Sequence, residues 1–381
     1  MQSILGRLAD RHEIHYLGIG YSGVAVCDRG LTIHPTNLEG GDVFAAFQAA
    51  RLAEEIQPDL IFILHDLWMF EHYLGVLGPL RDRLKIVAYI PLDGRIARPR
   101  DAAPLRAADR IVVYTEFARA EFQKALDCEC PAVHVIPHGV DLDHFFPLPE
   151  LLDAGFDSRG RAAAKQKVFH DLPDVDQSFV ALNASRPDPR KRIDLTVEGF
   201  ATFAAGKPAN VRLCLHHAIF GERERDQIQS LIHRCGLENR VLVNPLGEGV
   251  RDDRELNLLY NSCDVGINTS MGEGWGLVSF EHGAAGAAQI VPDHTACSEL
   301  WNGRAELVAP ARDYVPEYSV LEMGEVSADG VAQALDRLYR DPARRRELGE
   351  AAWRAARNPA YSWDAIASQF ERLFIAATTK V

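Results

Sequence analysis

Two glutamates, Glu273 and Glu281, stand eight residues apart in the stretch GEGWGLVSFEHGAAGA (residues 272–287), where glycines 272, 274 and 276 alternate ahead of an apolar run. A strand ending near Thr269, then a glycine-rich turn, then a helix from Leu277 would present free backbone N–H groups and the positive end of a helix dipole above the strand. A phosphate suits that position. Glycine at 274 and 276 lets the main chain approach such a guest closely and take up φ > 0. Glu273 would then sit at the mouth of the turn and Glu281 two turns into the helix. An ionised carboxylate accepts hydrogen bonds from two hydroxyls at once, which suits a vicinal diol such as ribose. The bland reading is a pair of solvated carboxylates beside a tight turn. A hydrolase acid/nucleophile pair is a third. Eight helical residues rise about 12 Å, against the roughly 5–10 Å of hydrolase carboxylates, but the turn leaves the distance open.

The segment NASRPDPRKRIDLTVEGFA (residues 183–201) carries Arg186, Arg190, Lys191 and Arg192 between a strand ending at Ser185 and a helix starting near Asp194. Arginine offers a planar fork to phosphate oxygens and lysine a compact charge. A short cationic run is otherwise a solvated face. Its place at a strand's carboxyl end, in the same half of the chain as the glycine turn, favours phosphate. Together the two segments describe a site for a diphosphate carrying a ribose and a sugar.

The elements that would hold these loops alternate along the chain. EIHYLGIGY, PDLIFILHD, KIVAYIPLD, DRIVVYTE and AVHVIPHGVD read as strands in the first half; SFVALNAS, VRLCLHH, RVLVNP and DVGINTS do so in the second. Continuous apolar runs such as LIFIL mark strands buried on both faces. Between them lie helical stretches. DVFAAFQAARLAEEI places Val43, Phe44, Phe47, Ala50 and Leu52 near one face, and ERDQIQSLIHRCG does so for Ile228, Leu231, Ile232 and Cys235. This alternation predicts an α/β protein of parallel sheets, with two Rossmann-like domains. The periodicity breaks in HFFPLPELLDAGFDSRGR (residues 144–161), at Pro147, Pro149, Gly155 and Gly160. In open parallel sheets ligands bind beyond the carboxyl ends of strands. His65, Asp66, Asp93, His138, Arg186, Lys191 and Glu273 all follow a strand.

Composition narrows the class. The 381 residues suffice for two domains, and 47% hydrophobic with 25% charged residues is a globular balance. No apolar run reaches the roughly 18–20 residues of a membrane span, and MQSILGRLADRHEIHY has no signal-peptide core. Seven cysteines without zinc-like spacing predict reduced thiols and a cytoplasmic protein. The formal charge of −13 argues against a general nucleic-acid binder. Neither an Asp-rich motif nor an HxxxH pair suggests a metal. The arginines of DGRIARPRDAAPLRAADR either form a solvated face or meet an anionic acceptor or lipid head group, which leaves peripheral membrane contact open. Trp68 and Trp275 could stack on sugar rings, whereas Trp301, Trp353 and Trp363 read as packing residues.

Four segments, in order, resemble the group 1 transferases of glycosyltransferase family 4. HVIPHGVDLDHFFP is similar to the family's IPNGVD segment, with His138 for the usual asparagine. SRPDPRKRIDL resembles its GRxxxxKGxdxL motif, GEGWGLVSFE its E-x7-E motif, and SWDAIASQF its closing helix. The resemblance implies a GT-B fold with an interdomain cleft: an acceptor-side domain over residues 1–150, a nucleotide-sugar donor domain over 151–362, and a helix over 363–381 crossing back to the first. It implies a retaining, metal-independent hexosyltransferase without a cofactor. The donor would be a UDP-, GDP- or ADP-sugar, with NPLGEGVRDDRE among the loops around the base, and the acceptor a hydroxyl of a glycan, glycolipid or small glycoside. Arg186 and Lys191 would neutralise the diphosphate and Glu281 would hold the ribose. Glu273 would bind the transferred sugar, with main-chain groups of Gly274, Trp275, Gly276 and Leu277. Ser185 and His138 fall on the donor side, His65 and Asp66 on the acceptor side. Relatives often carry a histidine at the end of the strand KIVAYIPLD, where this sequence has Pro91 and Leu92 with Asp93 close by; Asp93 orients the acceptor or contacts the sugar, or else caps a turn. Arg192 replaces the family's glycine after the lysine, adding charge without moving the phosphate site. Relatives open with a strand and a glycine-rich loop, whereas SILGRLADR reads as the helix after them, so that first strand is expected to be missing. The rival functions are a nucleotide-sugar epimerase or hydrolase of the same fold, and a non-catalytic nucleotide-sugar-binding subunit.

Overall fold

The computed structural model describes residues 1–36, 41–217, 222–247 and 249–379. Glu248 of the loop NPLGEGVRDDRE and residues 380–381 of the closing segment lie outside them. The chain forms two compact units. The first comprises Met1–Gly139, Glu317–Leu321 and Pro359–Val381; the second comprises Val140–Pro316 and Glu322–Asn358. The break-rich residues 144–161 thus belong to the second unit.

In the first unit β1 (Ile14–Gly18) pairs in parallel with β3 (Leu31–Pro35), and β2 (Val26–Asp28) lies antiparallel on the far side of β3. A second sheet joins β4 (Leu60–Leu64), β5 (Lys85–Ile90), β7 (Arg110–Val113) and β8 (Val133–Val135), all parallel and in that order; β6 (Arg95–Ile96) is a two-residue strand. Ile86 to Ile90 and Ile111 to Val113 are buried at every position, so β5 and β7 are covered on both faces as their unbroken apolar runs require. β1 and β4 are both edge strands, and residues 14–17 and 60–64 line a pocket of about 640 Å³ with Leu5, Leu8, Leu52 and Phe374.

One helical face differs from expectation. The helix Ala46–Ile56 buries Ala46 and Ala53, while Val43 and Phe47 are 52% and 61% exposed. The Asp42 carboxylate accepts from the N–H groups of Ala46 and Gln48, and Ala45 adopts a left-handed φ of 58°. The helix therefore starts after Val43 and Phe44, outside their helical spacing. The helix Trp363–Thr378, capped by Ser362, packs Phe370 on Phe62 and Tyr89 within this unit, and Arg7 and Arg11 hold Asp364 and Glu371 at 2.6 Å.

The second unit is built on six parallel strands, β9 (Phe179–Asn183), β10 (Val211–Leu215), β11 (Val241–Val243), β12 (Val265–Ile267), β13 (Ala288–Pro292) and β14 (Glu306–Val308). Their spatial order is β11-β10-β9-β12-β13-β14. The progression reverses between β9 and β12, and at such a switch point the loops leaving adjacent strands diverge and open a crevice at their carboxyl ends. A hairpin of β15 (Pro310–Tyr314) and β16 (Leu321–Val326) follows. Beneath the amino ends of β9 and β12, the buried Lys165 ammonium bridges Asp264 at 2.8 Å and the Ser178 carbonyl, and Asp264 accepts from the Val180 N–H. This buried ion pair thus lies opposite the open end.

Gly349, in the helix Pro342–Ala356, shows how closely this helix approaches the turn before β13: a Cβ there would stand 2.6 Å from the Gly286 carbonyl oxygen. Gly349→Ala is expected to cost about 2 kcal/mol through backbone displacement. A urea midpoint equal to wild type would show that the two segments part freely.

Candidate functional site

The site takes shape from the two loops at the switch point. After β9, Ser185 is buried and Arg186 exposed, and a short 3-10 turn, Pro189–Lys191, brings Arg190 and Lys191 round toward the loop after β12. Lys191 Nζ donates to Glu273 Oε1 at 2.6 Å, and Asn268 Nδ2 donates to the same oxygen at 3.2 Å. The Arg190 guanidinium lies 3.7 Å from Glu273 Oε2 and donates to Ser270 Oγ and the Gly272 carbonyl. Burial alone would push the Glu273 carboxyl up. The charges of Lys191 and Arg190, with hydrogen bonds from Lys191 and Asn268, outweigh it and hold the group below its ordinary range.

A buried polar chain supports both loops. Asn183 donates to Thr196 Oγ1 at 2.8 Å, the Thr196 and Thr269 hydroxyls are 2.8 Å apart, and Thr269 Oγ1 lies 2.9 Å from the carbonyls of Lys191 and Arg192. Arg192 sits at φ 47° and pairs with Asp194 and Glu325, so the place where relatives carry glycine is a left-handed one.

The glycine turn departs from expectation in three ways. Gly276 has φ 84°, but Gly274 is not in the positive-φ region. Glu281 is the fifth residue of the helix Leu277–Ala284, hence little more than one turn in. Trp275 is 3% exposed and its ring stacks on Phe280 at 4.6 Å, so the ring is packing and not a platform for a sugar. Leu277, at 44% exposure, opens the helix. Glu281 accepts a hydrogen bond from Tyr260 Oη at 2.9 Å, and burial pushes its carboxyl up to about 7 against the opposing effect of that bond.

Three contributors carried no local signal in the sequence. Tyr260 reaches Glu281 from the helix Asp253–Ser262. His217, just past β10, points its ring at the loop of Ser185. Thr295, after β13, places Oγ1 3.4 Å from the Glu273 carbonyl and 3.5 Å from its N–H while holding φ 52°. A β-branched residue in that region is strained. Thr295→Gly is expected to leave stability within about 1 kcal/mol of wild type, because relief of strain offsets the greater chain entropy of glycine. It should lower turnover about 10-fold through loss of the hydroxyl, whereas Thr295→Val should lose both. Urea unfolding and a turnover assay on the two variants check this; unchanged turnover in both would remove Thr295 from the site.

The first unit gathers its candidates at the carboxyl ends of its own sheet. His65 and Asp66 follow β4; His65 Nδ1 accepts from the Asp66 N–H at 2.8 Å, and its ring meets Phe44 and Trp68 edge-on. Asp93 follows β5, and Tyr114 follows β7. Burial raises the Tyr114 phenol, with the nearby charges of Asp93 and Asp66 adding to the effect. His138 lies in this unit, donating Nδ1–H to the Gly139 carbonyl at 2.8 Å between Tyr114 and Trp363; burial pushes it down to about 4.

Two Rossmann-like units, each open at the carboxyl ends of a parallel sheet, define the GT-B fold. Sucrose-phosphate synthase from Thermosynechococcus elongatus superposes with a TM-score of 0.74 over 98% of this chain and 91% of its own, at 19% identity. Anabaena HepE in complex with UDP and glucose does so with 0.66 over 91% and 87%, also at 19%. The sequence matches the glycosyl transferases group 1 model over residues 178–341 and the glycosyltransferase family 4 model over residues 2–144. The chain belongs to glycosyltransferase family 4, the group 1 transferases. D-inositol 3-phosphate glycosyltransferase of Xylanimonas cellulosilytica is 28% identical over 72% of the chain and 58% of its own length. The chain spans about half the length of the curated relatives it matches. Among the described residues no helix is long and apolar enough to cross a membrane.

Proposed function

We propose that the protein transfers a sugar, with retention at the anomeric carbon and without a metal, from a nucleoside diphosphate to a hydroxyl of a glycan, glycolipid or small glycoside. The observation that carries this reading is the convergence of the Arg186–Lys191 loop and the Glu273–Gly276 turn on the two sides of one switch point. Arg186, Arg190 and Lys191 supply the positive charge that a departing diphosphate needs, with the N-terminus of the helix Leu277–Ala284 adding its dipole. Glu273, held ionised, accepts from hydroxyls of the transferred sugar, and Glu281 from the ribose diol. As the bond between the anomeric carbon and the diphosphate lengthens toward an oxocarbenium-like state, the preset cations stabilise the growing negative charge without reorganising. In the first unit, Asp93, His65 and Asp66 are assigned to the acceptor side. Relatives of the fold support the donor class: HepE is described with UDP and glucose, and a trehalose-6-phosphate enzyme from E. coli with UDP-2-fluoro glucose. All seven cysteines are free thiols, on which ground we place the activity in the cytoplasm.

The test is calorimetric titration of UDP, GDP and ADP, then assay of nucleotide release from the matching sugar donor with and without acceptors. Saturable binding of one nucleotide and acceptor-dependent release are expected. Release without acceptor would mean a hydrolase, binding without release under any acceptor a binding subunit, and no binding at all would overturn the donor site.

A further inference from the structure

His217 stands outside the motifs discussed so far, yet it ties three loops together. Its Nδ1 hydrogen-bonds the Ser185 carbonyl, the residue immediately before Arg186, and the ring is 2% exposed. A carbonyl can only accept, so Nδ1 carries the proton and Nε2 is a lone pair. Nε2 is buried and has no hydrogen-bond partner among the described residues. A second proton there would be an uncompensated buried charge, in keeping with burial pushing the group down to about 4. The His217 backbone N–H donates to Asn244 Oδ1 at 2.7 Å, and Asn244, in the loop after β11, takes a left-handed φ of 46°. On the other side the Ser185 N–H donates to Asn183 Oδ1 at 3.0 Å, and Asn183 opens the buried chain through Thr196 and Thr269 to the Lys191 carbonyl. The loops after β9, β10, β11 and β12 are thus joined beneath the site.

We propose that His217 is a positioning residue: as a neutral, Nδ1-protonated imidazole it fixes the Ser185 carbonyl and so presets the Arg186 loop for the donor diphosphate, a role that rests on the donor site proposed above. A ring bonded to one backbone carbonyl costs little to hold and leaves no charge to compete with the phosphate. The loop then enters the reaction already ordered, as electrostatic stabilisation of a leaving group requires.

The experiment compares wild type, His217→Leu and His217→Asn by calorimetry with the nucleoside diphosphate that binds and with its parent nucleoside. Asparagine can return a side-chain N–H to the Ser185 carbonyl; leucine is of similar size and cannot. The leucine variant should lose about 10-fold in diphosphate affinity while nucleoside affinity stays within about 2-fold, and asparagine should recover to within about 3-fold of wild type. Equal losses for diphosphate and nucleoside, or no loss in the leucine variant, would overturn the role. If the leucine variant fails to fold, His217→Phe carries the same comparison against asparagine. Absence of diphosphate binding by the unsubstituted protein would overturn the donor site itself, and this role with it.

Discussion

Glu273→Gln is expected to lower turnover about 10²–10³-fold and to destabilise the protein by about 3 kcal/mol. Glutamine keeps the shape and an acceptor oxygen, so the losses report the charge. The Lys191 side chain is 12% exposed and its ammonium stands 2.6 Å from the carboxylate. Removing the carboxylate leaves a largely desolvated cation with no counter-charge, which is how a single substitution in a buried pair becomes costly. The double variant Glu273→Gln with Lys191→Met removes both charges. It should regain most of the stability and none of the turnover, because the sugar has lost its acceptor and the diphosphate its lysine. Urea unfolding of the three proteins and a donor turnover assay decide it. A double variant no more stable than the single one would mean that the ion pair is not the source of the cost. The sign with pH follows from a folded-state pKa below the ordinary value of 4.5. The contribution is fully present above pH 4.5 and is lost as pH falls through the lower folded value, so the glutamine variant should have the flatter acid limb.

Glu281→Gln is expected to move stability and binding in opposite directions. Burial lifts the Glu281 carboxyl from 4.5 to about 7, so the native state binds this proton more tightly than the unfolded chain does. Stability therefore falls as pH rises through the window from about 4.5 to about 7, by a total of about 3 kcal/mol. Glutamine carries no such charge. The variant should match wild type near pH 4 and exceed it by about 3 kcal/mol at pH 8. Nucleoside diphosphate affinity should fall at least about 10-fold at pH 8, since a carboxylate accepting from a diol is replaced by an amide. Wild-type affinity itself should weaken as pH falls through about 7, and the variant's should not. Thermal unfolding and calorimetry at pH 5 and pH 8 give both readouts. A destabilised variant at pH 8 would show that Glu281 is held by the fold as a partner and not tolerated as a strained ligand group. The Tyr260 hydroxyl, its 2.9 Å donor, opposes the shift, so Tyr260→Phe should move the wild-type midpoint upward.

Much of this protein was legible from local pattern alone. Unbroken apolar runs such as LIFIL and KIVAYI marked β4 and β5, and their alternation with helices gave two parallel-sheet units. The same reading set the phosphate-seeking residues at strand ends, because a strand's direction decides which loops share an edge. Local pattern was weaker within a turn. It assigned φ > 0 to both Gly274 and Gly276, and only Gly276 has it. It allowed Trp275 a sugar-facing ring, which the neighbouring Phe280 has taken instead.

What the sequence by itself determined, then, was the α/β class, the two units and the edges where chemistry could sit. The tertiary structure decided which loops meet. Spacing along a chain records burial with periods of 2 or 3.6 residues but not the order of strands in a sheet. Here that order sets β12 beside β9 across 82 residues of separation between Lys191 and Glu273, brings Tyr260 to Glu281, and lays His217 under Ser185. Lys191 meets Glu273 because the sheet's progression reverses between β9 and β12, whereas His217 meets Ser185 because β10 lies directly beside β9.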